Sequence, residues 1–387
     1  MKERVHEIVA GYESELIALR RDLHAQPEVA WSEYRSTQKI AHRLEAAGIR
    51  PQLLEGTGLV CEIGENPTVG LRADIDALPL PETTDLPYAS TIPGAAHACG
   101  HDLHTAIALG AALTLKRMHD EGLYDGGTRV IFQPAEESQP GGALSILPQG
   151  VLDGLDEIYA VHCDPKEDVG TIGSRTGAIT ASSDAIKVTV RGGGGHTSRP
   201  HLTGDVVNAL GQVIAQAGSI LSRRVDLRYG VNLTWGMVRA GSAPNIIPAD
   251  GVLRGTLRCL DMRGWDEAGE VIVPIIEEIL APLNVEVEVQ HNRGLPPAVN
   301  APGPTARIEA AARQVVGADH VVSTEQSMGG EDFAWFLQEV PGALIRLGTR
   351  TPNGRSYELH QGDAQFDERA IAIGAQVMTL TALAAER

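Results

Sequence analysis

Aromatic residues make up only 4% of the chain, and four cysteines, Cys61, Cys99, Cys163 and Cys259, are scattered through 387 residues. So few cysteines without short regular spacing exclude a disulfide framework. They imply reduced thiols and a cytoplasmic compartment. No stretch approaches the ~20 apolar residues that a membrane-crossing helix needs. The charged start Met1-Lys2-Glu3-Arg4 leads into no apolar signal segment. Positive charge is short too, with 32 Lys and Arg against 50 Asp and Glu, a net charge of -18. That balance disfavours unassisted binding to nucleic acid or an anionic membrane. Internal repeats and low-complexity tracts are also missing. What remains is an ordinary globular composition, 43% hydrophobic, in a chain too long for one hydrophobic core, so more than one domain is expected.

Two textures alternate along the chain. Residues 4–24 place Val5, Ile8, Val9, Leu16, Leu19 and Leu23 at helical spacing, ended by Pro27. A second helix is expected over 36–47, stopped by Gly48. Strand candidates follow at 59–63, 68–73, 129–132 and 158–161, and strands this continuously apolar are usually covered by helices on both faces. Between 183 and 293 the pattern changes. Ile186, Val188 and Val190 alternate with Lys187, Thr189 and Arg191, and Val285, Val287 and Val289 alternate with Glu286, Glu288 and Gln290, as in strands with one wet face. The order there is strand, helix, strand, strand, helix, strand, the split ferredoxin-like arrangement, and Pro274 is expected to kink the second helix. Helical texture returns at 305–316 and 368–384. The expected organisation is therefore an α/β domain of residues 1–182 and 294–387, its sheet sandwiched by helices, with a ferredoxin-like α+β domain inserted at 183–293.

The densest chemistry lies in His97-Ala98-Cys99-Gly100-His101-Asp102-Leu103-His104, ahead of the Ala-rich run 105–115. Cys99 and His101 can be brought to one point on a loop, as thiolate and neutral imidazole. Open α/β sheets gather ligands beyond the carboxyl ends of their strands, where Glu136, Glu137 and His162 stand. His360 lies well toward the carboxyl end. In extended backbone consecutive residues face opposite sides, so Glu136 and Glu137 are expected to divide the work: one holds metal while the other faces water. A metal lowers the pKa of bound water from ~15.7 to ~7, and an adjacent carboxylate takes the proton and returns it to a leaving amine. A thiolate ligand points to zinc, with manganese, cobalt or nickel as alternatives, and away from magnesium or calcium. Five candidate ligands suggest two ions.

The segments 71–79, 97–104, Pro134-Ala135-Glu136-Glu137, 194–201, Asn245-Ile246-Ile247-Pro248, Gly255-Thr256-Leu257-Arg258 and Gly329-Gly330-Glu331-Asp332-Phe333 stand in order along the chain. In that run the chain resembles the metallo-aminoacylase and carboxypeptidase family, in its branch of hippurate hydrolases and auxin-amino-acid conjugate hydrolases. The resemblance implies a zinc-exopeptidase-like catalytic domain with an inserted lid and dimerisation domain, two divalent metal ions, a homodimer or higher homo-oligomer, and hydrolysis of N-acyl amino acids. It also implies roles. Cys99 would bridge the metals, with His101, Glu137, His162 and His360 completing the ligands, and Glu136 would be the general base. His196 would reach the substrate carbonyl from its own or the partner subunit. Asn245, Arg258 and Gly330 would bind substrate, and Asp76 would orient a ligand. Asp74 stands where carboxypeptidase relatives use a metal histidine, and it is left out of the ligand set.

Each residue also has a plainer reading. His162 can be a satisfied core histidine, His360 an exposed loop residue, Arg258 a partner for one of many acids, and Cys61, Cys163 and Cys259 buried small hydrophobes. For His24, His104, His201 and Asp102 the sequence does not separate ligand-orienting from helix-capping roles. Three other functions compete: a dipeptidase or carboxypeptidase of the same family, a hydrolase with Cys99 as nucleophile, and a metal-binding protein without turnover.

Overall fold

The computed structural model describes residues 1–139 and 141–385. Residues 386 and 387, the end of the expected segment 294–387, lie outside them. The chain divides into two compact units, the first made of 1–177, 299–325 and 332–387, the second of 178–298 and 326–331. The second is a few residues wider than 183–293 at each end. It also takes a short stretch from the later segment.

The first unit is built on an eight-stranded mixed sheet. At its centre Val69–Asp74 runs parallel to both Thr128–Gln133 and Glu157–Asp168, and Gly342–Arg350 runs parallel to Glu157–Asp168. These central strands are buried almost throughout, apart from the last residues of Glu157–Asp168. Leu59–Ile63 continues the sheet antiparallel to Thr128–Gln133, and Pro51–Leu53 forms the edge. Helices Lys2–Ala25, His101–Asp120 and Arg369–Ala385 pack together with the sheet into one core. His101–Asp120 is buried along nearly its whole length. That explains why its apolar run shows no polar stripe. Small residues allow the close approach: a Cβ on Gly110 would meet Leu16 Cδ1 at 2.8 Å and Ala375 Cβ at 3.0 Å.

The second unit carries a four-stranded sheet in the order Asn232–Ala240, Asp250–Arg258, Ser183–Arg191, Glu286–Leu295, every neighbour antiparallel. Helices Val206–Arg224 and Met262–Leu280 share its core with Ile186, Val188, Val190, Leu253 and Leu257. This is the ferredoxin-like order that the alternation and element sequence predicted. Both helices start at an Asp whose side chain caps them: Asp205 accepts from Asn208 N–H and Asp261 from Arg263 N–H. The second runs as one helix through Pro274. Among the described residues no helix is long and apolar enough to cross a membrane.

Candidate active site

Three neighbouring parallel strands deliver the chemistry at their carboxyl ends. Arg72 pairs with Ala160, which sets Asp74 level with His162. Asp74 itself pairs with Gln133, just before the turn bearing Glu136 and Glu137. Across from them Gly100, in left-handed conformation (φ 80), turns the chain from Cys99 into the helix that starts at His101. His360, also left-handed (φ 62), is tied in by its N–H to the Ala98 carbonyl at 3.0 Å. Residues from five places in the sequence thus meet in the first unit.

Ligand-capable atoms of Cys99, His101 and His162 lie within 4.8 Å of one another, and so do those of Cys99, Glu137 and His360. The thiol belongs to both groups. Cys99 Sγ stands 3.6 Å from His162 Nε2, while His162 Nδ1 donates to the Cys163 carbonyl at 2.8 Å. That bond puts the ring hydrogen on Nδ1 and leaves the Nε2 lone pair facing the thiol. Burial, then the charge of Arg346, pushes the His162 pKa well down, so the ring is neutral as a metal ligand must be. His101 turns Nδ1 to Asp76 Oδ1 at 3.2 Å. Its buried Nε2 has no hydrogen-bond partner, and His360 Nε2 approaches Glu137 Oε1 to 3.1 Å. An unpartnered imidazole nitrogen beside a buried thiol, a carboxylate and further imidazoles is a donor arrangement that suits a thiophilic cation. The donor set therefore fits a metal.

The ionisable groups of the site also act on one another. Burial drives the His101 pKa down, but Asp74 foremost raises it well above the ordinary value, so a cation held there must displace a proton. Burial pushes the Cys99 thiol well up. A protonated thiol is the opposite of what a cysteine nucleophile needs, whereas a metal ionises it outright. Glu137 stays below the usual carboxylate range: burial raises it, and His360 and His101 more than compensate.

One sequence expectation fails here. Glu136 and Glu137 do not lie in extended backbone, because the strand ends at Gln133 and the chain turns through Pro134 and a left-handed Ala135 (φ 55). Both carboxylates face the same ring, Glu136 Oε2 at 4.0 Å and Glu137 Oε1 at 3.9 Å from His101 Nε2. Their surroundings differ instead. Glu137 meets His360, and Glu136 Oε1 accepts from the Asp332 N–H at 3.4 Å.

The supporting residues resolve what the sequence left open. Asp76 accepts the N–H groups of Glu136 and Glu137, both at 3.0 Å. His104 bonds Asp74 through Nδ1 at 2.6 Å and accepts the Cys163 N–H on Nε2 at 2.8 Å. Both its nitrogens are spent. Asp74 is spent on His104 and Arg72. His24 and Arg20 share Asp102 at 2.8 and 2.7 Å in a buried ion pair. Cys163 donates its S–H to the Cys99 carbonyl at 3.0 Å, so it braces the motif rather than merely filling space. Glu33, which accepts the Ala135 N–H, was missed altogether. No local signal marks it, since its partner is 102 residues away.

The remaining expected residues lie in the second unit. His196 pairs with Ile246 in a two-stranded ribbon, and Thr197 N–H reaches the Asn245 carbonyl, so these two are neighbours. Ser198 N–H donates to His196 Nδ1 at 3.1 Å, which leaves the ring hydrogen on an outward Nε2. Arg258 donates to the Met328 carbonyl at 2.6 Å, two residues from Gly330. His201 lies in an exposed single turn, Pro200–Leu202.

Residues 70–384 match the family described as Peptidase family M20/M25/M40. A protein of Rhodococcus jostii (strain RHA1) named as glutamate–cysteine ligase 2-3 is 46% identical over 376 residues, 96% of this chain. The chain spans only 46% of that relative's length. The N-acetyl-L-cysteine deacetylase of Bacillus subtilis (strain 168) is 37% identical over 364 residues, covering 93% of this chain and 85% of the relative. Among solved structures, a dinuclear metal-binding peptidase of the M20 family from Bacillus subtilis has a TM-score of 0.84 at 34% identity, over 97% of this chain and 99% of that one.

Proposed function

Given that the chain belongs to peptidase family M20/M25/M40, we propose that it is a metal-dependent amidohydrolase that cleaves N-acyl amino acids into an acid and an amino acid. One observation carries the reading: a single thiol, Cys99, belongs to two ligand groups, each completed by residues from distant parts of the chain. Cys99, His101 and His162 would hold one divalent ion, and Cys99, Glu137 and His360 the other. Zinc suits the thiolate and imidazoles best, with manganese, cobalt and nickel as alternatives. The dinuclear relative supports a pair of ions.

When bound, the metals supply Lewis acidity that activates water and polarises the scissile carbonyl. The protein does the rest. Asp76 fixes both the His101 ring and the backbone of Glu136 and Glu137. Glu136 Oε2 takes the water's proton and passes it to the departing amine nitrogen, so one carboxylate acts first as base and then as acid. From the family resemblance we assign His196, with its hydrogen on Nε2, to the developing oxyanion. Arg258 and Asn245 are assigned to the substrate carboxylate, which a planar guanidinium grips with two bonds, and Gly330 to close backbone approach. The second unit would then be lid and dimerisation domain. The deacetylase relative makes short acyl groups the first substrates to try. The test is a panel of acetyl, benzoyl and long-chain acyl amino acids and dipeptides on metal-reconstituted protein. Cleavage of acyl amino acids, lost with a chelator, is the expected result. Exclusive dipeptide cleavage would favour the peptidase alternative, and a covalent acyl group on Cys99 would refute the metal mechanism.

A further inference from the structure

The turn that carries Glu136 and Glu137 is gripped on its far side by a residue the chemistry does not touch. Glu33 is fully buried, 0% exposed. Its Oε1 accepts the Ala135 N–H at 2.8 Å and its Oε2 accepts the Thr57 hydroxyl at 2.7 Å. Ala135 holds a left-handed backbone (φ 55), which L side chains adopt only under constraint. Its carbonyl is engaged as well, accepting Gly142 N–H at 2.9 Å. The next two amides end on Asp76. Three consecutive N–H groups, 135 to 137, thus terminate on two buried carboxylates.

Glu33 is itself fixed from behind. It precedes the helix Tyr34–Ala46, and its carbonyl accepts Thr37 N–H at 3.0 Å and the Thr37 hydroxyl at 2.6 Å. That hydroxyl in turn accepts Gly58 N–H at 2.9 Å. Gly58 passes so close to the strand end that a Cβ there would meet the Phe132 carbonyl oxygen at 2.6 Å and Pro134 Cδ at 2.7 Å. Among the described residues no basic side chain forms an ion pair with Glu33. A buried carboxylate without a cation is costly, and only its hydrogen bonds offset that cost; one of those bonds goes to the base of the Glu136 turn.

We propose that Glu33 is a positioning residue: its carboxylate locks Ala135 in the left-handed conformation and so sets where the Glu136 and Glu137 carboxylates stand beside Cys99 and His101. This rests on the assignment of Glu136 as base and Glu137 as ligand. The role differs from packing in what it controls, since it acts on the direction of two side chains and not on the fold as a whole.

The experiment uses the full chain reconstituted with cobalt(II). It reads kcat, KM, the cobalt d–d absorption spectrum and the thermal midpoint for wild type, Glu33→Ala, Glu33→Asp and Glu33→Gln. Glu33→Ala should lower kcat by about 10-fold or more, leave KM nearly unchanged and shift the cobalt spectrum. Glu33→Gln keeps an acceptor oxygen for the Ala135 N–H and should stay close to wild type. Should the Ala variant fail to fold, Glu33→Asp, which withdraws the acceptor by one methylene, should still show the kcat loss and the spectral shift. Wild-type kcat and spectrum in a folded Ala or Asp variant, even with a lowered midpoint, would overturn the proposal. An inactive wild type or a fully active Glu136→Gln would instead defeat the functional assignment. The cobalt spectra of the Glu33 variants would report on the Glu137 ligand in either case.

Discussion

Asp76→Asn is the sharpest perturbation of the supporting structure. Asp76 is 1% exposed, and each of its oxygens accepts a backbone N–H, from Glu136 and from Glu137, both at 3.0 Å. Oδ1 also faces His101 Nδ1 at 3.2 Å. An asparagine offers one acceptor oxygen, so in either amide orientation an NH2 group must face an N–H of the turn. One bond to a charged acceptor is lost, about 1.5–3 kcal/mol, and a buried donor is left unsatisfied, about 1–3 kcal/mol. Because the turn can relax, we expect a net loss of about 3 kcal/mol. Urea unfolding of metal-free protein measures it. Metal affinity, read by competition with a chromophoric chelator, should fall by about 10–100-fold, because His101 loses the acid that orients it. Unfolding within about 0.5 kcal/mol of wild type, together with unchanged affinity, would show that Asp76 neither anchors the turn nor orients His101.

Other consequences follow from the same geometry. Gly100→Ala forces a side chain at φ 80, with its Cβ 2.4 Å from Cys163 Sγ. It should cost about 2–4 kcal/mol in thermal unfolding, and an unchanged midpoint would contradict the packing described. Asp102→Asn strips the buried Arg20 of its closest carboxylate and should cost about 3 kcal/mol near neutral pH. Burial raises the Asp102 carboxyl, but Arg20 and then His24 hold it far below its usual range. Its contribution is therefore present above the unfolded pKa of about 3.9 and is lost as pH falls through the lower folded value. The gap between wild type and variant should narrow in acid, and a gap that widens below pH 4 would reverse the sign of the argument. Chelation should abolish hydrolysis and lower the unfolding midpoint together, with zinc, manganese, cobalt or nickel restoring both. Loss of one without the other would separate the metals from either role.

Much of this was legible in the sequence where the signal is local. The alternation of Ile186, Val188 and Val190 with polar neighbours wrote out a one-sided strand, and the inserted ferredoxin-like order followed from counting elements. Cys99 and His101 were visible because ligands crowded into eight residues are unusual. The division of labour between Glu136 and Glu137 was argued from strand alternation, which Pro134 and Ala135 cancel by ending the strand first. His104 was undecidable in sequence because its role depends on Asp74 and the Cys163 amide, and a histidine's tautomer is set by such distant partners. Glu33 left no trace, since a carboxylate before a helix reads as a cap until its side chain is seen pointing away. Gln326–Glu331 joined the second unit for a similar reason: Ala181 N–H bonds the Ser327 and Gly329 carbonyls, a pairing that no periodicity encodes.

If one shared thiolate organises two cations, Glu136 is left free to move protons. Turnover by metal-reconstituted Glu136→Gln on the best acyl amino acid substrate, with bound metal counted in the same sample, tests it most directly. The variant should carry two metals per chain and show kcat lower by about 10²–10⁴-fold. Two metals with wild-type kcat would contradict it.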